Sequence, residues 1–284
     1  STMSQLWKDI CLGFSTYGKS FSFISQNKLW HYYLYPLAFI IVFSIAATAG
    51  ISGMNDWLTP MIYDMLSLEE VPGEGWWEIT LNFLKNASHY LISFVIWIGL
   101  IFIYYKVSKY LVLICMSPVM AIVSERTDEI LIGRKVAFNF TQLIKDVWRG
   151  VLIALRNMFL EIGIIIILAL VNLLVGLIFA PFAVITTPLF AIITFLVGAY
   201  FYGFSTMDYS SERNKLNVRQ SIRFIRKYKG IALANGTIFT MWLIVPVLGT
   251  YIGTIFAPIT CTVGATLAIH ERTNGNLLEG LEKR

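Results

Sequence analysis

The feature that most constrains this chain is the length of its apolar stretches. Residues 158–205 are almost entirely apolar, and residues 34–54, 88–122 and 231–269 add further stretches of the same kind. About 18 consecutive apolar residues are enough for a helix to cross the hydrocarbon core of a bilayer. The short alternating segments typical of a membrane β-barrel do not occur in the sequence. The chain is therefore predicted to be an all-α polytopic membrane protein.

The overall composition agrees with this class. Hydrophobic residues make up 57% of the chain and charged residues 14%, whereas a soluble domain has about 25% charged residues. The net charge of +5 is also a property of nucleic-acid-binding proteins, but basic residues that flank membrane segments are expected on the cytoplasmic side. We therefore predict the lipid bilayer as a partner and no nucleic acid.

Reactive residues are few and scattered. The sequence contains no C-x-x-C, H-x-x-H or H-E-x-x-H motif, no pair of aspartates on neighbouring spans and no Ser-His arrangement. We therefore predict no metal site, no cofactor and no enzymatic activity. The three cysteines are an odd number, which argues against a disulfide framework; they are Cys11, Cys115 and Cys261.

The distribution of charge predicts the topology. Residues 106–149 contain seven basic and four acidic residues, and residues 206–230 contain seven basic and two acidic ones. Residues 55–87 are strongly acidic by contrast. By the positive-inside rule, residues 55–87 form an external loop, and both termini lie in the cytoplasm.

Two of the apolar stretches are interrupted by prolines and predict helical hairpins. Residues 158–205 are broken at Pro181 and Pro188, and each half either spans the bilayer or dips into it from the cytoplasmic side. Residues 231–269 are broken near Pro246 into halves of about 15 residues, or roughly 22 Å of helix against a core of about 30 Å. We therefore expect at least one re-entrant hairpin, with two tilted full spans as the alternative, beside two long transmembrane helices at 34–54 and 88–122.

Two further segments are predicted to be amphipathic helices. Residues 4–25 place apolar residues at three-to-four spacing, which suits either a helix in the membrane interface or one packed on the rest of the protein. In residues 206–230, Arg219, Arg223 and Arg226 share one helical face. This basic helix is expected to lie on anionic headgroups, and an alternative role is to draw anions towards an entrance.

Polar residues within the apolar stretches are the candidates for function. In "CMSPVMAIVSERTDEIL" (115–131), Pro118 interrupts the helical hydrogen bonds, and Ser117 can compensate locally. Glu125 cannot attract an anion itself, so we expect it either to orient a basic partner or to cap the N-terminus of a neighbouring helix. Arg156 and Glu161 are either functional residues within the membrane or interfacial residues that extend towards the headgroups, and we favour the second interpretation.

Several stretches resemble the CysZ sulfate-permease family, which is grouped with the etoposide-induced membrane proteins. They are "SQNKLWHYYLYPLAF", "SPVMAIVSERTDEILIG", "LIKDVWRG", "MDYSSERNK" and "PVLGTYIGTIFAPITCTVGAT". The resemblance covers most of the chain. It implies two long transmembrane helices with re-entrant hairpins, a homo-oligomer, and a channel or permease of the bacterial inner membrane that supplies sulfate for cysteine synthesis.

The resemblance also implies an anion site. The candidate site or pathway residues are Lys28, His31, Ser117, Pro118, Glu125 and Arg149, with sulfate as the anion and sulfite as a second candidate. The chain departs from the family pattern at Trp30-His31, where sulfate-binding members have an arginine pair, and at Ala121, where they have glycine. An alternative function is a non-transporting membrane scaffold or membrane-shaping protein of the same fold.

Overall fold

The structure, a computed structural model, describes residues 3–42, 45, 75–133, 139–244, 249–275 and 277. These residues form helices and turns, and no strand occurs among them. The chain divides into two compact units. One unit is Ser1–Ile40 with Lys109–Arg284, and the other is Ile41–Ser108. The first unit carries the candidate site.

Eight helices, α1 to α8, are described. In chain order they are α1 Met3–Gln26, α2 Leu29–Val42, α3 Trp76–Ile132, α4 Phe140–Ile178, α5 Ala180–Arg213, α6 Val218–Lys227, α7 Lys229–Ile244 and α8 Thr254–Thr273. A π-helical turn, Gly249–Gly253, precedes α8. Among the described helices, four are long and apolar enough to cross a membrane: Lys109–Ile132, Phe140–Ile178, Val184–Arg213 and Tyr251–Thr273. The prediction of a multi-pass α-helical membrane protein is confirmed.

The two predicted transmembrane helices differ in how much of them is described. Residues 88–122 fall within α3. Residues 34–54 begin in α2, and most of the remainder lies outside the described residues. Most of the predicted external loop, 55–87, lies outside them too, and its last residues belong to the start of α3.

Helices α4 and α5 form one helical hairpin, which covers residues 158–205. The turn is at Phe179, whose backbone N–H donates to the carbonyl of Val175 at 2.9 Å. The apolar part of α4, residues 158–178, is about 31 Å long, so this arm matches the hydrocarbon core. Helix α5, with 34 residues, is also long enough, so the lengths of the two arms favour the full-span alternative.

Helices α7 and α8 are the second pair, and they are much more enclosed. The first turn of α7 and the last turn of α8 both contact Asp9, through Gly230 and through Arg272 at 3.0 Å. Their outer ends therefore lie at the same face. With 16 residues, α7 is about 24 Å long, shorter than the hydrocarbon core. Re-entry of this pair stays a prediction.

Small residues bring α5 and α7 into backbone contact. A Cβ atom at Gly203 would lie 1.8 Å from the carbonyl oxygen of Ala232, and one at Gly236 would lie 1.6 Å from that of Ala199. Both helices thus carry a pair of small residues four positions apart, a pattern that lets membrane helices approach closely. A larger side chain at either glycine cannot be accommodated without separating the helices.

Helix α1 packs on α7 and α8 through a narrow face of small and polar residues. Gly13 lies against Ala234, and Gly264 of α8 lies against the backbone of Tyr17. The aromatic residues on the other side are exposed, among them Trp7 and Phe14. The two predicted alternatives are therefore compatible, because the helix packs on the protein by one face and leaves an aromatic face for the membrane interface.

Candidate functional site: a charge layer where α3, α4 and α5 meet

Charged side chains from three helices meet where α3 and α5 end and α4 begins. We call this group the charge layer; it comprises Glu125, Asp128, Asp146, Arg149, Asp208, Glu212 and Arg213. The residues of the layer belong to 106–149 and 206–230, the two basic segments that the positive-inside rule predicts to lie on one face of the membrane. The layer is therefore the end of the helix bundle that we predict to be cytoplasmic.

Arg149 is held firmly within the layer. Its Nε and Nη2 donate to the two carboxylate oxygens of Asp208, both at 3.1 Å, and its Nη1 donates to the carbonyl of Leu216 at 2.6 Å. Ser221 donates a further, short hydrogen bond to Asp208. This paired geometry is the strongest arrangement of arginine and carboxylate. Arg149 therefore joins α4 to α5 and to the start of α6.

Arg213 is held differently. Its Nη1 donates to the Ser124 hydroxyl at 2.7 Å and its Nη2 to the Ser210 hydroxyl at 3.2 Å. Its Nε lies 3.3 Å from a carboxylate oxygen of Asp128. The two outer nitrogens thus contact neutral oxygens, which bind a guanidinium less tightly than a carboxylate does. Arg213 is the arginine of the layer whose partners can be exchanged for an incoming anion at lower cost.

Carboxylates outnumber arginines in the layer. Gln142 donates to Asp146 at 2.6 Å, and Glu212 lies 4.0 Å from Arg149. Glu125 lies close enough to Arg213 to attract it, and it faces repulsion from Asp146. With five carboxylates around two arginines, an anion enters this layer only where it can replace a contact that an arginine already makes.

Ser117 contacts the part of α4 that carries Arg149. Ser117, which is fully buried, donates to the carbonyl of Val147 at 3.3 Å and hydrogen-bonds Tyr209. Gly150 makes this contact possible, since a Cβ there would lie 2.6 Å from the Ser117 hydroxyl. Ser117 therefore contacts α4 on both sides of Arg149.

Pro118 and Glu125 extend the same side of α3. Pro118 lies inside the helix and leaves the carbonyl of Ile114 without its helical donor. Tyr35 donates to the next carbonyl, that of Cys115, at 3.1 Å. The basic group that faces Glu125 is Arg213, which sequence reasoning did not select.

Lys28 and His31 lie in a different environment. Both side chains are exposed, and the Nδ1 of His31 is 2.8 Å from the carbonyl oxygen of Lys28. Lys28 adopts a left-handed backbone conformation, with φ of 56°, at the start of the 3-10 turn of α2. Among the contacts that the structure describes, none joins either residue to the charge layer.

Glu161 does not extend to the surface of the protein, so the interpretation that it reaches the headgroups is wrong. It is fully buried, and it accepts a hydrogen bond from Tyr110 at 2.7 Å. Lys109, 3% exposed, lies over the ring of Tyr202 at 5.3 Å. The polar groups that α3 offers at this level are enough to satisfy the carboxylate inside the protein, so Glu161 does not need to reach the headgroups.

Sequence reasoning missed Arg213, Ser124 and Ser210 as site residues. Ser210 and Arg213 are three residues apart, so both point to one side of α5, and this spacing was available as a signal. Their partner Ser124 is 89 residues from Arg213 in the sequence. Within the described residues, no group of three or more His, Cys, Asp or Glu is arranged to hold a metal ion.

A family model covers most of the chain. The model described as sulfate transporter CysZ/etoposide-induced protein 2.4, named EI24, matches residues 16–252. The matched region includes every residue of the charge layer. Among curated proteins, none matches the chain.

Proposed function

This chain belongs to the EI24 family, and we propose that it is a sulfate permease of the bacterial inner membrane that supplies sulfate for cysteine synthesis. The protein is a multi-pass membrane protein by its four long apolar helices. We propose further that it works as a passive pathway, without a cofactor, and as a homo-oligomer with both termini in the cytoplasm. Sulfite is proposed as a competing anion.

The observation that carries this proposal is the environment of Arg213. Its guanidinium is largely enclosed, and two of its nitrogens donate to serine hydroxyls on two different helices. A sulfate oxygen can replace either serine, and the guanidinium then donates to a charged acceptor where it had donated to a neutral hydroxyl, which strengthens the hydrogen bond. The displaced hydroxyls are then free to donate to the same anion. Arg213 is thus the proposed anion-binding residue at the cytoplasmic end.

The predicted site residues have supporting roles in this proposal. Arg149 keeps Asp208 neutralised, so that this carboxylate does not compete for Arg213. Ser117 and Pro118 fix the path of α3 against α4, and Glu125 orients Arg213. Lys28 and His31, being exposed, are proposed to attract the anion to the protein before it enters.

Uptake of labelled sulfate into proteoliposomes tests the proposal. The wild-type protein should show saturable uptake that sulfite inhibits. Arg213→Gln should lower uptake by roughly tenfold, the equivalent of about 1.4 kcal/mol of lost binding. Arg219→Gln, which removes an exposed arginine from α6, is the matched control and should stay near the wild-type rate.

Arg213→Lys separates a loss of binding from a loss of folding. Lysine keeps the charge but lacks the planar fork, so a folded Arg213→Lys protein should transport sulfate at an intermediate rate. Wild-type uptake no faster than that of empty vesicles would reject the permease proposal outright.

A scaffold or membrane-shaping role is the second candidate. The backbone contact of α5 with α7 at Gly203 and Gly236 favours it, because such contact resists the movement that transport requires. Ion-substitution conductance in planar bilayers separates the two functions. A permease conducts or exchanges sulfate, whereas a scaffold leaves the bilayer impermeable to every anion tested.

A further inference from the structure

A line of buried polar side chains runs inward from the charge layer, between α3, α5, α7 and α8. We call it the hydroxyl seam, and each of its side chains is at most 1% exposed. Polar side chains at this depth in a membrane protein are costly unless they have partners, so their alignment calls for an explanation. The seam consists of Ser124, Thr206, Ser210, Asn235 and Thr266.

The outer part of the seam is one continuous chain of hydrogen bonds that starts at Arg213. Arg213 donates to Ser124 and Ser210, and these hydroxyls lie 3.1 Å and 3.3 Å from the hydroxyl of Thr266. Thr266 in turn donates to the carbonyl of Thr262 at 2.9 Å. In each hydroxyl pair either oxygen can be the donor, so an anion bound at Arg213 next meets hydroxyl groups that can rotate to donate to it.

The inner part of the seam lies one helical turn deeper. Thr206 precedes Ser210 by four residues on α5, a rise of about 6 Å. Asn235 donates from its Nδ2 to Thr206 at 2.8 Å and to the carbonyl of Cys261 at 2.9 Å. Its buried Oδ1 has no hydrogen-bond partner among the described residues. A buried acceptor of this kind needs a donor, and a water molecule or the hydration shell of a passing ion supplies one.

Beside the seam, α5 and α7 are in contact at two glycines, without hydrogen-bonding side chains between them. There the two backbones touch at Gly203 and Gly236, and no side chain lies between them. The direct backbone contact leaves no side chains that could rearrange as α5 and α7 move apart. Along the seam, by contrast, the helices are held together by hydrogen-bonded hydroxyl pairs. Because hydroxyl pairs exchange readily for water or for anion oxygens, the seam is the line along which α3 and α8 can separate from α5.

We propose that the hydroxyl seam is the route by which the oxyanion moves between Arg213 and the interior of the protein. The inference rests on the proposed function and specifies its path. A tetrahedral oxyanion accepts hydrogen bonds from several hydroxyls at once, so the seam favours sulfate over chloride. Thr266 is the central specificity-determining residue, because it connects the hydroxyls that α3 and α5 contribute.

Removing the Thr266 hydroxyl tests the route. Thr266→Val conserves the shape of the side chain and should lower sulfate uptake by about fivefold, the effect of one lost hydrogen bond, with a smaller effect on chloride. The matched control is Thr260→Val on the same helix. The Thr260 hydroxyl donates at 2.6 Å to the carbonyl of Phe256, within its own helix, so uptake should stay near the wild-type rate. Thr266→Ser should restore uptake.

Cysteine accessibility gives an independent measurement. In a protein whose native cysteines are replaced, Thr266→Cys should react with a small anionic thiol reagent, and added sulfate should slow the reaction. Thr260→Cys should not show this protection. Two results would overturn the route but not the permease proposal. One is normal sulfate uptake by Thr266→Val, and the other is an unreactive Thr266→Cys in a protein that transports sulfate. Absence of transport by the wild-type protein would instead overturn the permease proposal, and the route with it.

Discussion

At the residue scale, Gly236 marks the tightest helix contact. Alanine at this position would place a methyl group 1.6 Å from the carbonyl oxygen of Ala199, so α7 must move away from α5. We expect Gly236→Ala to destabilise the protein by about 1–3 kcal/mol, as overpacking does. The loss should appear as a lower melting temperature in detergent. Gly18→Ala is the control, because Gly18 on α1 has no atom within 4 Å of the added methyl, and this variant should melt no lower than the wild type.

The pairing of Arg149 with Asp208 predicts strongly non-additive mutants. Arg149→Met leaves a largely buried carboxylate unpaired, which should cost about 3–5 kcal/mol of stability. Replacing both residues by apolar ones removes the unpaired charge as well. The double variant Arg149→Met/Asp208→Leu should therefore melt at a higher temperature than Arg149→Met alone. Asp208→Leu alone completes the cycle, and a loss in the double variant equal to the sum of the two single losses would show that the pair is not coupled.

Asp9 predicts a pH dependence of stability. Burial raises the pKa of its carboxyl above the ordinary value, and Arg272 at 3.0 Å opposes this shift without cancelling it. The folded protein therefore binds the proton more tightly than the unfolded chain does, so stability should increase as the pH falls through the raised pKa. Melting curves between pH 7 and pH 4 check this. The increase should be smaller in Asp9→Asn, and an identical pH profile would contradict it.

Some site residues can be selected from the sequence, and others cannot. Ser117 and Pro118 stand out because they interrupt an apolar helix, and Glu125 because it follows one. Arg213 does not stand out, since it is one of seven basic residues in its segment and its role depends on Ser124, 89 positions away. Glu161 was misinterpreted for the same reason, because the hydroxyl that satisfies it belongs to α3.

At the scale of elements, α6 shows what an amphipathic pattern can and cannot decide. Its arginines lie on one side as predicted, and Asn217 with Gln220 forms a capping box at its start. Its apolar residues Phe224 and Ile225 are fully buried in the protein. Most of the apolar face is therefore not available to the bilayer, although Val218 at the start of the helix is exposed, so contact with a membrane depends mainly on the arginines.

The exposed arginines of α6 should respond to anionic lipid. Each basic residue close to an anionic surface contributes about 1 kcal/mol. Phosphatidylglycerol should therefore raise the melting temperature of the wild-type protein in nanodiscs, relative to phosphatidylcholine, and high salt should remove the difference. Replacing Arg219, Arg223 and Arg226 together by glutamine should abolish most of this stabilisation. An undiminished lipid effect in the triple variant would exclude α6 as the contact.

At the scale of the whole molecule, hydropathy and charge predict an all-α membrane protein but not which helices the lipid surrounds. The most apolar part of α4 is 11% buried inside the protein and that of α8 is 78% buried, although both qualify as spans by length and composition. The difference comes from the small-residue faces that α1 and α7 offer to the core. Such faces are recognised only once the packing partners are known, because a glycine or serine has no apolar signal of its own.

The two hairpins are expected to reach different depths in the bilayer. The apolar arms of α4 and α5 match the thickness of the bilayer, whereas α7 is about 6 Å too short. In a protein without native cysteines, Ile178→Cys at the tip of α4 should react with a membrane-impermeant maleimide added outside. Tyr251→Cys, exposed beside the start of α8, should not react from that side if the hairpin re-enters from the cytoplasm.

Cys11, exposed on α1, is the reference for orientation in the same experiment. Retained as the single cysteine, it should react in inverted vesicles and stay unreactive in right-side-out ones, because the basic segments predict a cytoplasmic N-terminus. A cysteine at Glu70, in the predicted external loop, should show the opposite pattern. If Tyr251→Cys is labelled from outside while Cys11 is not, α7 and α8 are two full spans. The predicted orientation of the protein would still hold in that case.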